Sequence, residues 1–253
     1  MKALIDADSL LYKVGFAIEE KVIWNEPEYE AGLEEPEIDY FTDLHQCSKT
    51  LDQLIENILF ATDCDEALLV FTGADNFRYD NPLGYKEHRT GARKPTGYEE
   101  ILAYANTYYT THTVEGMEAD DFVVWLKTEE PEDWILCAID KDVLYQTEGT
   151  HYNYNRDEEV TVTAEEAVRY AYYQTLVGDT SDGYKGCPGI GPKKADKILD
   201  ECETEQEMWE AVVEAFHKKN LCIDDAIHTM QLAHMHQYNG NEVILWTPES
   251  LVP

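Results

Sequence analysis

Three short apolar runs, residues 3–5, 67–71 and 134–139, sit far apart in a chain of 253 residues. A run of that length without polar alternation reads as a strand buried on both faces, and such strands belong to parallel sheets covered by helices. Helical spacing of apolar residues fills the intervals, at about 41–60, 97–108 and 119–127. The expected fold class is therefore α/β: a Rossmann-like, mainly parallel sheet flanked by helices. Residues 19–39 are acidic, carry Pro27 and Pro36 and lack a clear period, so they read as an excursion from the sheet. Beyond about 163 the pattern turns helical, at 164–176, 193–202, 204–218 and 224–238. A short apolar stretch, 242–246, is expected to return to the sheet. The chain is thus expected to divide into an α/β unit, 1–162, and a helical unit, 163–253.

The acids fall in register with those strands. Asp6 follows the first run, Asp75 follows the second by a short turn, and Asp140 and Asp142 follow the third. Ligands of open parallel sheets bind at the carboxyl ends of strands, so three strands would deliver carboxylates to one edge. Glu118, Asp120 and Asp121 open a helical run, with Glu118 and Asp121 spaced to share a face. Asp179 and Asp182 repeat that spacing further on. A single Asp in such a place is usually a cap or a turn former. The set is different, because caps need not gather at one edge. Converging carboxylates at ~4 Å would repel by about 4 kcal/mol per pair at an effective dielectric of 20. Cations relieve that repulsion, and all-oxygen ligands favour Mg²⁺ or Mn²⁺ over zinc.

The net charge of −33 argues at first against a nucleic-acid partner. Distribution qualifies the total. Nine of the 19 Lys and Arg residues form two islands: Arg78, Lys86, Arg89, Arg93 and Lys94, then Lys185, Lys193, Lys194 and Lys197. The second island surrounds Gly189 and Gly191 in Gly186-Cys187-Pro188-Gly189-Ile190-Gly191-Pro192-Lys193-Lys194-Ala195, a glycine turn opening a helix. Glycines let a phosphate approach the freed amides, and Lys193 and Lys194 add charge without reading sequence. The six cysteines show no CxxC spacing and read as free thiols of a reducing compartment. Asp6 and Asp8 interrupt any leader-like apolar stretch at the start, and no run reaches membrane-spanning length, so a soluble cytoplasmic protein is expected. His234 and His236 have no third ligand at helical spacing and read as packing or surface residues.

The order of these blocks resembles the flap endonuclease and 5′-3′ exonuclease family, and most of all its compact phage members. The residues carrying the resemblance are Leu4-Ile5-Asp6-Ala7-Asp8, Phe71-Thr72-Gly73-Ala74-Asp75, Tyr85-Lys86-Glu87-His88-Arg89 and Lys94-Pro95-Thr96-Gly97-Tyr98. They continue with Glu118-Ala119-Asp120-Asp121, Asp140-Lys141-Asp142, Gly178 to Asp182 with Gly183-Tyr184, and Val243-Ile244-Leu245-Trp246. The resemblance implies a PIN-like catalytic domain, a helix–three-turn–helix element around Gly189 and Gly191, and two Mg²⁺ or Mn²⁺ ions, with a K⁺ ion at the glycine hairpin. It implies that Asp6, Asp75, Glu118, Asp120 and Asp140 form the inner metal site. Asp121, Asp142, Asp179 and Asp182 would complete a second site or its outer shell. Lys86 and Arg89 would contact the scissile phosphate, and Tyr85 would stack on a terminal base. Arg93, Lys94 and Lys185 would join Lys193 and Lys194 against DNA.

The implied activity is 5′-3′ hydrolysis of DNA at an end, nick or flap, or of the RNA strand of an RNA–DNA hybrid. It would serve phage replication or recombination, by a monomer in the host cytoplasm. The stretch between Arg89 and Glu118 is too short for the long basic arch of many relatives, and the 19–39 excursion has no evident counterpart. Two competing readings are an acidic protein that binds divalent ions or mimics DNA, motivated by the charge, and an RNA-cleaving PIN nuclease, which the glycine hairpin disfavours.

Overall fold

The computed structural model describes residues 1–89 and 91–251. In chain order the elements are β1 (Lys2–Asp6), α1 (Asp8–Ile18), β2 (Glu20–Ile23), α2 (Glu26–Glu30), β3 (Ile38–Phe41), α3 (Leu44–Thr62) and β4 (Ala67–Thr72). They continue as α4 (Tyr98–Tyr108), β5 (Thr110–Val114), α5 (Ala119–Glu129), β6 (Trp134–Ala138), α6 (Lys141–Tyr145), β7 (Gly149–Asn153) and β8 (Glu158–Val162). The last group is α7 (Ala164–Val177), β9 (Gly178–Asp179), β10 (Tyr184–Lys185), α8 (Pro192–Leu199), α9 (Glu205–His217) and α10 (Ile223–Ala233).

Six strands form the central sheet in the order β5-β4-β1-β6-β7-β8, parallel except for β8. The three apolar runs of the sequence are its inner strands β4, β1 and β6. Alternate residues serve opposite faces. Ala3, Ile5, Leu69 and Phe71 pack with α1, α3 and α4, whereas Leu4, Val70, Leu136 and Ala138 pack with α5 and α6. Each fully buried aliphatic side chain contributes about 1.5–3 kcal/mol. Strands β4 and β5 lie on one side of β1, and β6 and β7 on the other. The winding reverses at β1, and the crevice beyond its carboxyl end is where such sheets bind ligands.

The outer strands β5, β7 and β8 carry Thr, His and Glu and have no apolar run to announce them. Polar residues suit strands near a sheet's edge. Residues 19–39 are less irregular than expected: β2 and β3 pair antiparallel, and α2 lies between them. This hairpin takes Phe41, so α3 starts later than the apolar spacing suggests. Asp43 caps it, accepting from the His45 and Gln46 amides.

The third core draws only on residues from Ala171 onward, across α7–α10. The stretch 242–246 does not rejoin the sheet, contrary to expectation. Its bridge is an isolated antiparallel one, Tyr238 to Val243. Burial in the helical core decides the matter: Trp246 is buried edge-on to Trp209, with ring centroids 4.7 Å apart. The six cysteines are free, and no helix among the described residues is long and apolar enough to cross a membrane.

Arg78 links α5 to the segment after α10. It is fully buried, pairs with both Asp121 oxygens at 2.6 and 2.7 Å, and donates to the His234 carbonyl at 3.1 Å. Burial opposes the guanidinium's charge, and the Asp121 carboxylate outweighs it, leaving the Arg78 pKa above its ordinary value. Removing one partner of such a pair strands the other's charge. Arg78→Met is expected to lower the unfolding free energy by about 3–5 kcal/mol in urea denaturation. A loss under 1 kcal/mol would show that water or another group takes over Asp121.

Candidate active site

The crevice at the carboxyl end of β1 is a cavity of about 970 Å³. Asp6, Asp8, Glu118, Asp120 and Asp140 line it, with Lys86, Arg89 and Lys94 and the rings of Tyr79, Tyr85 and Tyr98. Each acid arrives by a local rule. Asp6 is the last residue of β1, and Asp8 opens α1 and accepts from the Thr72 amide at 3.2 Å. Glu118 caps α5 and Asp120 stands in its first turn. Asp140 caps α6, accepting from the Asp142 amide at 2.8 Å.

Crowding and burial set their protonation. Asp6 is pushed up to about 8, by burial first and then by the charges of Asp8 and Asp140. Burial also raises Asp120, reinforced by Asp6 and Asp140. Asp8 and Asp140 are raised by burial too, against the Thr72 hydroxyl and amide and the Asp142 amide respectively. Glu118 goes the other way: burial opposes its charge, but Lys86 and Arg78 outweigh it and hold it below its usual value.

Lys86 is the most buried of the cavity's three cations. Its ammonium stands 2.6 Å from Glu118 and 3.5 Å from Asp182. Its backbone sits at φ 51°, an uncommon conformation for a side chain of this size, and its amide donates to the Asp182 carbonyl at 2.7 Å. Arg89 reaches the Ser181 carbonyl at 2.6 Å and Asp182 at 3.2 Å. The basic loop is therefore docked on the β9–β10 hairpin. That hairpin exists because two glycine backbones abut. A Cβ on Gly178, at φ 76°, would lie 2.1 Å from the Gly186 nitrogen.

A second acidic group lies beside the first. The Gln174 amide nitrogen donates to both Asp142 oxygens at 2.9 Å and to Asp179 at 3.4 Å, and Lys141 pairs with Asp179 at 2.8 Å. Asp142 is raised to about 7 by burial and by Asp140. Against a burial cost, Lys141 and Ser181 hold Asp179 down to about 2. The Gln174 Oε1 and the Tyr184 hydroxyl are buried here without a hydrogen-bond partner among the described residues.

Four expectations change. Asp75 is exposed and does not line the cavity. At the end of β4 the Gly73 amide continues the ladder to the Val114 carbonyl at 2.8 Å, which leads the chain toward β5 and away from β1. Asp8 stands in its stead. Asp121 does not line the cavity; both its oxygens are held by Arg78, so it is not free to ligate a metal. The Tyr85 ring is 3% exposed, and its hydroxyl donates to Glu118 at 2.5 Å, so it orients an acid and is not open to a base. The exposed rings lining the cavity are Tyr79, 6.3 Å from Tyr85, and Tyr12. Arg93 is clamped: it holds both Glu19 oxygens and lies 3.8 Å from the Tyr40 ring centroid.

The second cation island is exposed around the glycine turn. Gly189 takes φ 76°, while Gly191 is extended with open space where a Cβ would point. Lys185, Lys193, Lys194 and Lys197 are exposed and form no ion pair among the described residues. Lys194 donates to the Gly189 carbonyl at 2.7 Å, so an ion at this turn would share that oxygen or displace the lysine.

Sequence reasoning passed over Asp8, Tyr79, Gln174 and Tyr184 as site residues. Asp8 lies two residues beyond Asp6 at a strand exit, a usable signal. For the other three, proximity comes from the fold alone.

Among the described residues, no three Asp, Glu, His or Cys side chains stand at metal-ligating geometry. Lys86 already occupies Glu118, and repulsion favours spreading the rest. The donor chemistry nonetheless fits a hard divalent cation: oxygen atoms only, several carboxyls raised by burial and by their neighbours, and orphaned buried oxygens beside the second group.

No family model matches the chain. It is similar to the exodeoxyribonuclease of Enterobacteria phage T3, 24% identical over 234 residues, 72% of this chain and 74% of that protein. It is also similar to a 5′-3′ exonuclease of Halalkalibacterium halodurans, 23% identical over 132 residues, 47% of this chain and 41% of that protein's length. In three dimensions it resembles the bacteriophage T5 flap endonuclease, solved as a pseudo-enzyme-product complex with DNA and metal ions. The TM-score is 0.68 at 14% identity, covering 94% of this chain and 90% of that one. That likeness establishes the PIN-like fold. With the fold, the order of the acidic blocks and these relatives in agreement, the chain is similar to members of the flap endonuclease and 5′-3′ exonuclease family.

Proposed function

We propose that this protein is a divalent-metal-dependent 5′-3′ exodeoxyribonuclease that hydrolyses phosphodiester bonds of duplex DNA at a 5′ end, nick or flap. One observation carries the reading: five carboxyl groups from four elements, β1, α1, α5 and α6, face one cavity at the sheet's switch point, with Lys86 among them. An acidic DNA mimic would need no such inward-facing set, nor an unpaired cation island. Contacts to phosphate through lysines and backbone amides read no base sequence. Nothing in that mode of contact distinguishes the RNA strand of an RNA–DNA hybrid, which falls in the same proposed range. We place the activity in a monomer acting in the cytoplasm, during phage DNA replication or recombination.

Asp6, Asp8, Glu118, Asp120 and Asp140 would hold one Mg²⁺ or Mn²⁺, and Asp142, Asp179 and Asp182 would hold or surround a second. When bound, such cations supply Lewis acidity and offset the charge of the reacting phosphate. The chain's own groups do the rest. Lys86 presents its ammonium where negative charge grows on the phosphate, in a partly closed cavity where it counts for more than in water. Arg89 stands on the same side. Tyr85 fixes Glu118 so that Lys86 keeps a defined position. Tyr79 offers a ring to a terminal base, worth about 1–3 kcal/mol and indifferent to sequence. Lys185, Lys193 and Lys194, with the amides near Gly189 and Gly191, would grip the duplex backbone.

Release of 5′ label from duplex DNA with Mg²⁺ tests the reading. Asp140→Ala and Lys86→Ala should each slow it by about 10²–10³-fold, with duplex binding in Ca²⁺ retained at least in part. Equal rates in wild type and Asp140→Ala would end it.

The carboxyl shifts give a second test. Folded Asp6 keeps its proton to about pH 8, whereas an unfolded Asp loses it near about 3.9. Between those values the folded state binds more protons, so metal-free stability falls as pH rises. A cation that binds the ionised carboxyls offsets this loss. Magnesium should therefore raise the melting temperature more at about pH 8 than at about pH 5.5. An equal shift at both, measured by calorimetry, would separate the cation from these acids.

A further inference from the structure

The β2–β3 hairpin takes no part in the cavity, and its two faces differ. On one, Arg93 lies over Tyr40 and holds Glu19, which fastens the hairpin to the body. On the other, Trp24 is 62% and Phe41 48% exposed, packed edge to face with centroids 6.3 Å apart. Strand register puts Glu20 opposite Phe41 and Val22 opposite Asp39, and the Trp24 amide donates to the Glu37 carbonyl. The indole nitrogen donates to Asp39 at 2.7 Å, which sets the ring on this face. The outer face is therefore an aromatic pair rimmed by Glu20, Glu37 and Asp39.

We propose that this face docks a basic segment of a partner protein, placing an apolar side chain against Trp24 and Phe41 and Lys or Arg against the three carboxylates. Exposed aromatics are the residues that anchor interfaces, and a charged rim around them selects the partner's sign. A Lys or Arg side chain also gains from lying over an indole. The rim repels a phosphate backbone, so the face is not a second nucleic-acid contact.

The test uses a fluorescent synthetic peptide of alternating lysine and leucine, followed by anisotropy against the full-length protein at about 0.15 M salt. The variants are Trp24→Ala/Phe41→Ala and Glu20→Gln/Glu37→Gln/Asp39→Asn. The control, Glu129→Gln/Glu132→Gln/Asp133→Asn, removes equal charge from exposed positions elsewhere. Both hairpin variants should weaken binding by about tenfold or more, with the control unchanged. The amide variant preserves the aromatic pair should the alanine variant disturb the hairpin, and circular dichroism reports that. Equal losses in all three would mean general attraction to an acidic surface and overturn the proposal. Unchanged binding in Trp24→Ala/Phe41→Ala would overturn it as well. So would a wild-type dimer that this variant dissolves, or a loss of affinity for labelled duplex DNA in place of the peptide.

Discussion

Mutually repelling carboxyl groups are kept together here because the strands that carry two of them cannot part. Asp6 and Asp140 end or follow the adjacent strands β1 and β6, and neighbouring strands lie about 4.8 Å apart. Separating the acids would mean breaking a hydrogen-bonded ladder buried between two apolar layers. The core's stability therefore offsets the site's strain, and burial first, then the neighbouring charges, hold these carboxyls above their ordinary range. Glu118 is the exception, since Lys86, Arg78 and Tyr85 converge on it.

The inner architecture was legible because its signals are local and one-sided. Apolar runs without alternation admit few readings, and an acid directly after such a run has little freedom in where it points. This held for Asp6 and Asp140, which reach the cavity. It did not hold for Asp75, because three residues past a strand are enough for one backbone contact, Gly73 to Val114, to redirect the chain. Asp121 shows a different limit. Its spacing from Glu118 is right for a shared helix face, but a cation 43 residues away claims it, and no pattern in the chain announces that pairing. The hairpin in residues 19–39 stayed hidden because two strands of four residues carry too few alternations to stand out. The final stretch, 242–246, looked like a strand and behaved as a plug, because Trp246 finds a deeper site among helices.

The large negative charge also takes on a definite shape. Many of the cations are spent in pairs: Arg78 with Asp121, Arg93 with Glu19, Lys141 with Asp179, Arg169 with Asp196 and Asp200. The lysines around the glycine turn form no ion pair among the described residues. On a surface that repels phosphate nearly everywhere, a small unpaired group gives the proposed duplex contact its place by contrast. It also limits adhesion elsewhere.

The contact of Gly178 with Gly186 has a wider reach than its two atoms suggest. It joins the strand bearing Asp179 to the segment leading into the glycine turn, main chain against main chain, with no side chain between to act as a spring. Whatever is gripped at the turn is thereby held at a set offset from the acids. Substitutions on either surface would leave the offset between turn and acids unchanged, because that offset is written in the backbone.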